Sequence, residues 1–373
     1  MPRIQVFDDW ISMFREWQQS IGLDEPDLRE HPFEAKYGDL PGPAIEFGDF
    51  RGEPRWETVR QIPEQRIRDA LLNLIVYQGD TEFASVEQQR HLFETAPSDY
   101  DLRSLTRVMS EEMRHGYQMC HLLVEHFGTT GRIEAQKLLE RRAFDRTRLL
   151  GSFNETVDTW LDFFVYTDFV DRDGKFQLRM LSRCAFAPLA RSMGPMLHEE
   201  SFHLGTGHSG LLRILKAGRI DTPLLQKYLN KWIPTAYDLF GTDHSSTAHW
   251  CYVWGLKGRF EEDPEQPADR SSLNEQARML YHDECRALID NLNHHVPDGQ
   301  PKLEVPDLRF HRSIGDWAGL PYDLHGRRLS AEEYERHLQE VLPGANDVAR
   351  VLAITSEPGW IAPKGSGRAD ERL

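Results

Sequence analysis

Glutamate followed three residues later by histidine occurs twice in this 373-residue chain, at Glu112-Met-Arg-His115 and Glu200-Ser-Phe-His203, although there are sixteen histidines. On a helix, positions i and i+3 project from one face, so each pair can ligate the same metal cluster. Alone, either match is weak, because about one is expected by chance. The spacing carries the constraint. Glu82 precedes Glu112 by 30 residues and Asp171 precedes Glu200 by 29, so the chain reads carboxylate, ExxH, crossover, carboxylate, ExxH. That repeat asks for four helices facing one another around a shared interior, as in carboxylate di-metal bundles.

The apolar periodicity supplies those helices. Pro63 opens a first one, about 63–91, through Ile67, Leu71, Leu74, Ile75 and Phe83. Pro97-Ser98-Asp99 starts a second, through Leu102, Leu105, Val108, Met109, Met113, Met119 and Leu122 to Gly128. A basic segment over 129–151 reads as a helical crossover. Ser152 with Glu155 suggests a capping box for an aromatic third helix, DTWLDFFVYTDFVD, ending in a turn at Asp173-Gly174. A fourth, interrupted at Pro188 and Gly194-Pro195, runs to about Gly218. Segments 221–240 and 271–295 look helical, 296–330 and the tail irregular, and no run alternates as a strand would. The expected fold is all-α: a ferritin-like four-helix bundle over 63–218, an irregular arm over 1–62 packed on it, and peripheral helices and an extension of the same domain over 219–373.

Sixty acidic against 44 basic side chains give a net charge of −16, which disfavours a nucleic-acid partner. No apolar run is long enough for a membrane span, and the acidic opening does not resemble a signal peptide, so a cytoplasmic protein is expected. Cys120, Cys184, Cys251 and Cys285 form no CxxC pair and are expected to be reduced.

The expected metal ligands are Glu82, Glu112, His115, Asp171, Glu200 and His203, with Glu112 and Glu200 as the catalytic pair. On the third helix Asp168, Asp171 and Asp173 are all within reach, and the repeat favours Asp171. Trp160, Phe163, Phe164, Phe169, Phe202, Met109, Met113 and Met119 would wrap these groups in an apolar shell, with a substrate ring held in its Phe-rich pocket. Four carboxylates buried there need cations, and two iron ions, with manganese the alternative, suit oxygen and imidazole donors. A reduced pair with open positions binds dioxygen. Glu111 and Glu199 point elsewhere, to water or to a ligand histidine. Gln78 could line the pocket but reads better as an interhelix hydrogen bond. Gly205-Thr-Gly207-His-Ser-Gly210 matches GxGxxG but follows a helix, so its glycines are read as helix-packing positions and His208 as a core or surface residue. Arg141, Arg142, Arg146 and Arg148 read as a solvated face, with docking of coenzyme A phosphates as the functional option.

The stretches APSDYDLRSLTRVMSEEMRHGYQM, LGSFNETVDTWLDFFVYTDFVDRDGKFQL, LHEESFH, DLFGTDHSSTAHWCYVWGLKGRF and PDLRFHRSIGDWAG resemble the oxygenase components of benzoyl-CoA epoxidases, di-iron members of the phenylacetic acid catabolic oxygenase family. The resemblance runs from about residue 60 onward. It implies the same six ligands, epoxidation of the ring of a benzoyl-CoA-like aromatic acyl-CoA, and an NADPH-dependent flavin and iron–sulfur reductase as electron-donating partner. The competing readings are a related oxygenase acting on phenylacetyl-CoA or another aromatic substrate, and a non-catalytic ferritin-like subunit; six intact ligand positions count against the last.

Overall fold

The computed structural model describes residues 3–23, 25–262 and 272–365. Its helices are α1 (Phe7–Ser20), α2 (Pro26–Arg29), α3 (Gln65–Gln89), α4 (Asp99–His126), α5 (Gly128–Glu140), α6 (Trp160–Leu181), α7 (Ala187–Ala217), α8 (Thr222–Leu239), α9 (Ser246–Val253), α10 (Leu273–Asn293), α11 (Ala331–Val341) and α12 (Ala345–Thr355). Among the described residues there is no strand, only isolated bridges. Helix α3 packs on α4 and α6 on α7, and the pairs meet along α4 and α7. The bundle is ferritin-like and all-α. Helices α5 and α1 cover it on the α4 side, and α8 and α10 on the α6 side.

Local chemistry sets the helix ends, in places against expectation. Ser98 accepts the Asp101 amide at 3.2 Å and caps α4. The capping box of α6 is Thr159 with Asp162, not Ser152 with Glu155; Asp162 also accepts hydrogen bonds from Lys231 (2.8 Å) and Trp232 (3.0 Å), which ties that end to α8. Asp173-Gly174 makes no turn, because α6 continues to Leu181. Pro188 sits in the first turn of α7, where a missing N–H costs nothing, so α7 begins there instead of being broken. Pro195 does lie inside α7 and leaves the Arg191 carbonyl without its helical donor. Gly38 of the N-terminal arm donates to that carbonyl at 2.8 Å, so the helix continues and the arm is pinned to it. The arm is therefore only partly irregular, since α1 lies within it, with Trp10, Phe14 and Trp17 buried. The C-terminal region likewise contains α11 and α12, and residues 366–373 of the expected irregular tail lie outside the described residues. In the crossover only α5 is helical; residues 141–150 are not.

Glycines set how close the helices come. A Cβ on Gly116 would lie 2.6 Å from the Phe83 ring, joining α4 to α3. On Gly207 it would lie 2.4 Å from the Asp168 backbone nitrogen, and on Gly210 2.1 Å from the Phe164 ring, joining α7 to α6. The GxGxxG glycines thus serve helix packing at Gly207 and Gly210, while Gly205 has open space beside it.

Candidate metal centre

Glu82 from α3, Glu112 and His115 from α4, and Glu200 and His203 from α7 meet in the bundle interior, all buried. Donor atoms of Glu82, His115 and Glu200 lie within 4.8 Å of one another, as do those of Glu112, Glu200 and His203. His115 Nδ1 is 3.3 Å from Glu82 and 3.5 Å from Glu200 Oε1. His203 Nδ1 is 3.5 Å from Glu112 and 3.3 Å from Glu200 Oε2. Glu200 therefore turns one oxygen to each histidine and belongs to both groups.

The far nitrogens are held from outside the cluster. His115 Nε2 lies 2.9 Å from Glu199, and His203 Nε2 lies 3.1 Å from Glu111. A carboxylate only accepts, so each Nε2 carries a proton, and each Nδ1 faces the inner carboxylates, where a cation in place of its proton would take its lone pair. Glu199 is held in turn by Arg114 and by Lys36 of the arm (3.2 Å), and Glu111 by Arg107 (2.9 Å). Burial pushes the Glu199 carboxyl up, but His115 and Arg114 outweigh it and bring its pKa down to about 2. Of the two roles expected for Glu111 and Glu199, both residues take the one of orienting a histidine.

Of the third-helix carboxylates, Asp168 is consumed by Arg172 (2.7 Å) and His208 (3.0 Å). Asp173 accepts from Gln177 at 3.0 Å. Asp171 is buried beside the cluster, and its Oδ2 has no hydrogen-bond partner. Burial and the charges of Glu82, Asp171 and Glu200 push Glu112 well above the usual carboxylate range; burial and Glu200 do the same to Asp171. Burial opposes the His203 imidazolium, but Glu200, Glu111 and Asp171 raise it well above normal. Like charges crowded in a low dielectric need protons or cations between them. Glu200 Oε2 and His203 Nδ1 also lack hydrogen-bond partners, so three unpartnered buried donor atoms point to this one place. Carboxylate oxygens with inward imidazole nitrogens fit divalent transition metals.

A cavity of about 430 Å3 opens on this cluster, with Glu82, Glu112, Asp171 and Glu200 in its wall. Leu74, Phe153, Val170, Met180, Leu181 and Phe240 are among its apolar lining residues.

A family described as "Phenylacetic acid catabolic protein" matches residues 57–304, from before α3 to beyond α10. Benzoyl-CoA oxygenase component B of Aromatoleum evansii is 39% identical over 87% of this chain and 79% of its own length. The chain belongs to the phenylacetic acid catabolic family. One of the subunits of the 1,2-phenylacetyl-CoA epoxidase of Escherichia coli (strain K12) is 23% identical over 71% of this chain and 81% of its own.

Three expectations for this family member's site need correction. Trp160, Phe163, Phe164 and Phe169 are core residues that do not line the cavity, and Phe202 stacks under Arg107 at 3.7 Å. Gln78 does line it, but donates within its own helix to Glu82 at 2.5 Å. The basic run is not one solvated face: Arg148 is buried between Asp80 (3.2 Å) and Glu87 (2.7 Å), Arg141 reaches Asp80 at 3.5 Å, and only Arg146 is widely exposed. Sequence reasoning missed Lys36 and Arg114, which hold Glu199, and Tyr166 and Lys257, which line the cavity. Arg114 lies inside the first ExxH, but its partner is 85 residues away. Nothing local marks the other three.

Proposed function

We propose that this chain is the oxygenase component of an aromatic acyl-CoA epoxidase acting on a benzoyl-CoA-like thioester. The single observation that carries the reading is Glu200 spanning two inward-facing histidines on the wall of an apolar cavity. Membership of the family and the name of the 39% relative support it. Glu82, Glu112, His115, Asp171, Glu200 and His203 would hold two iron ions, which supply dioxygen activation. In the balanced reaction dioxygen takes two electrons and two protons, one oxygen atom adds across a ring bond, and the other leaves as water.

The protein's own residues do the rest. Glu111 and Glu199 keep Nε2 protonated and hold both imidazoles in orientation. Leu74, Val170, Met180 and Phe240 position the ring and keep water from the site. Electrons would come from an NADPH-dependent flavin and iron–sulfur reductase; the relative's designation as component B speaks for separate components. Four buried, unpaired cysteines fit a reducing, cytoplasmic setting. No helix among the described residues is long and apolar enough to cross a membrane.

The test is turnover of iron-loaded protein with reductant and dioxygen on benzoyl-CoA and phenylacetyl-CoA, with products followed by mass. A gain of one oxygen on benzoyl-CoA is expected. Oxidation of phenylacetyl-CoA alone would move the assignment to that substrate, and turnover of neither would leave the non-catalytic reading.

A further inference from the structure

We propose that Lys257 is a substrate-positioning residue whose ammonium donates to the thioester carbonyl of the acyl-CoA in the cavity beside the carboxylate–histidine cluster. The inference rests on the aromatic acyl-CoA reading above and assigns the group that orients that substrate.

Lys257 lines the same cavity as Glu82, Glu112 and Glu200. Its loop is clamped: Ala185 N–H donates to the Gly255 carbonyl at 2.7 Å, Gly258 N–H to the Met180 carbonyl at 3.1 Å, and the Lys257 amide to Cys251 at 3.2 Å. The ammonium is thus presented from a fixed backbone just beyond the end of α6. Its side chain is only partly buried and makes no hydrogen bond or ion pair with any described residue, whereas the buried Arg114, Arg148, Arg172, Arg213, Arg278 and Arg312 each have a carboxylate or carbonyl partner. Burial holds its pKa below the usual lysine value, with Asp173 opposing. A partly buried ammonium with no protein acceptor keeps its donors available to a ligand in the cavity.

The chemistry of the cavity selects what that acceptor is. The volume of about 430 Å3 takes an aryl thioester head group, but not the nucleotide of coenzyme A as well. A phosphate group there would share the cavity with Asp171, Asp173, Glu82, Glu112 and Glu200, and like charges in a poorly hydrated space repel strongly. A carbonyl accepts the ammonium's hydrogen bond without adding charge. In a benzoyl thioester the carbonyl is bonded directly to the ring, so fixing it fixes which ring edge faces the cluster.

Binding to the full chain is measured by calorimetry without dioxygen, using benzoyl-CoA and S-benzyl-CoA, the thioether that lacks the carbonyl. Wild type is expected to bind the thioester more tightly. Lys257→Met should weaken benzoyl-CoA roughly 10- to 100-fold and leave S-benzyl-CoA nearly unchanged. Lys257→Gln, which keeps an N–H donor, should fall between. Equal weakening of both ligands would overturn the assignment in favour of phosphate binding or a structural role. No change in either, or a wild type that does not distinguish the two ligands, would overturn it as well while leaving the acyl-CoA reading intact. Failure of wild type to bind either ligand would remove the acyl-CoA reading and this inference together.

Discussion

Glu111 accepts from His203 Nε2 at 3.1 Å, in a mirror of the 2.9 Å contact between Glu199 and His115. Each ExxH motif is therefore oriented by the glutamate that precedes the opposite one, Glu111 serving His203 and Glu199 serving His115. Replacing either partner with Gln should lower metal affinity about 10- to 100-fold without unfolding the chain. Competition titration with a metal chelator checks this, and unchanged affinity in both variants would mean that the contacts orient nothing.

Gly210→Ala and Gly205→Ala form a matched pair. The first forces a Cβ to 2.1 Å from the Phe164 ring, the second meets nothing within 4 Å. The first should cost about 1–3 kcal/mol as overpacking, and the second should gain up to about 1 kcal/mol of helix propensity. Denaturant midpoints report both signs. A neutral Gly210→Ala would show that α6 and α7 are not held as close as described.

Arg148 tests whether the basic run is internal. Met in its place leaves the buried carboxylates Asp80 and Glu87 with only their longer ion-pair contacts to Arg141 (3.5 Å) and Arg142 (3.9 Å), and Arg148→Met should cost about 3–5 kcal/mol. Arg146→Ala, at a widely exposed side chain, should leave the denaturation midpoint unchanged. Equal effects would return the run to a surface role.

His208 gives the fold a pH dependence. Burial opposes its charge, but Asp168 at 3.0 Å and Asn291 at 3.0 Å outweigh burial and raise its pKa above the usual 6.5. A pKa raised on folding stabilises below the unfolded value, and that stabilisation is lost as pH rises through the folded value. His208→Gln should therefore destabilise more at roughly pH 6 than at roughly pH 9. Urea unfolding at both values decides, and an equal or reversed difference would contradict the pairing.

How much was legible in the sequence follows interaction range. The four bundle helices and the convergence of Glu82, Glu112, His115, Glu200 and His203 follow from i, i+3 geometry and a repeated spacing, which are local. Between Asp168 and Asp171 the spacing only leans to Asp171: both are buried on α6, and what separates them in space is Arg172 and His208 claiming Asp168. Gly174 looked like a turn because glycine permits one, yet packing of α6 against α7 keeps it helical. Arg148 looked solvated because its partners lie 68 and 61 residues away. Pro195 looked like a break because the Gly38 amide that relieves it comes from the N-terminal arm.

The most direct test of the centre is anomalous scattering at the iron edge from crystals of the iron-loaded chain. A two-metal centre gives two peaks among α3, α4, α6 and α7, each within bonding distance of Glu200 and of one Nδ1, and loses them in Glu200→Ala. A single peak, no peak, or two peaks that survive Glu200→Ala would contradict it.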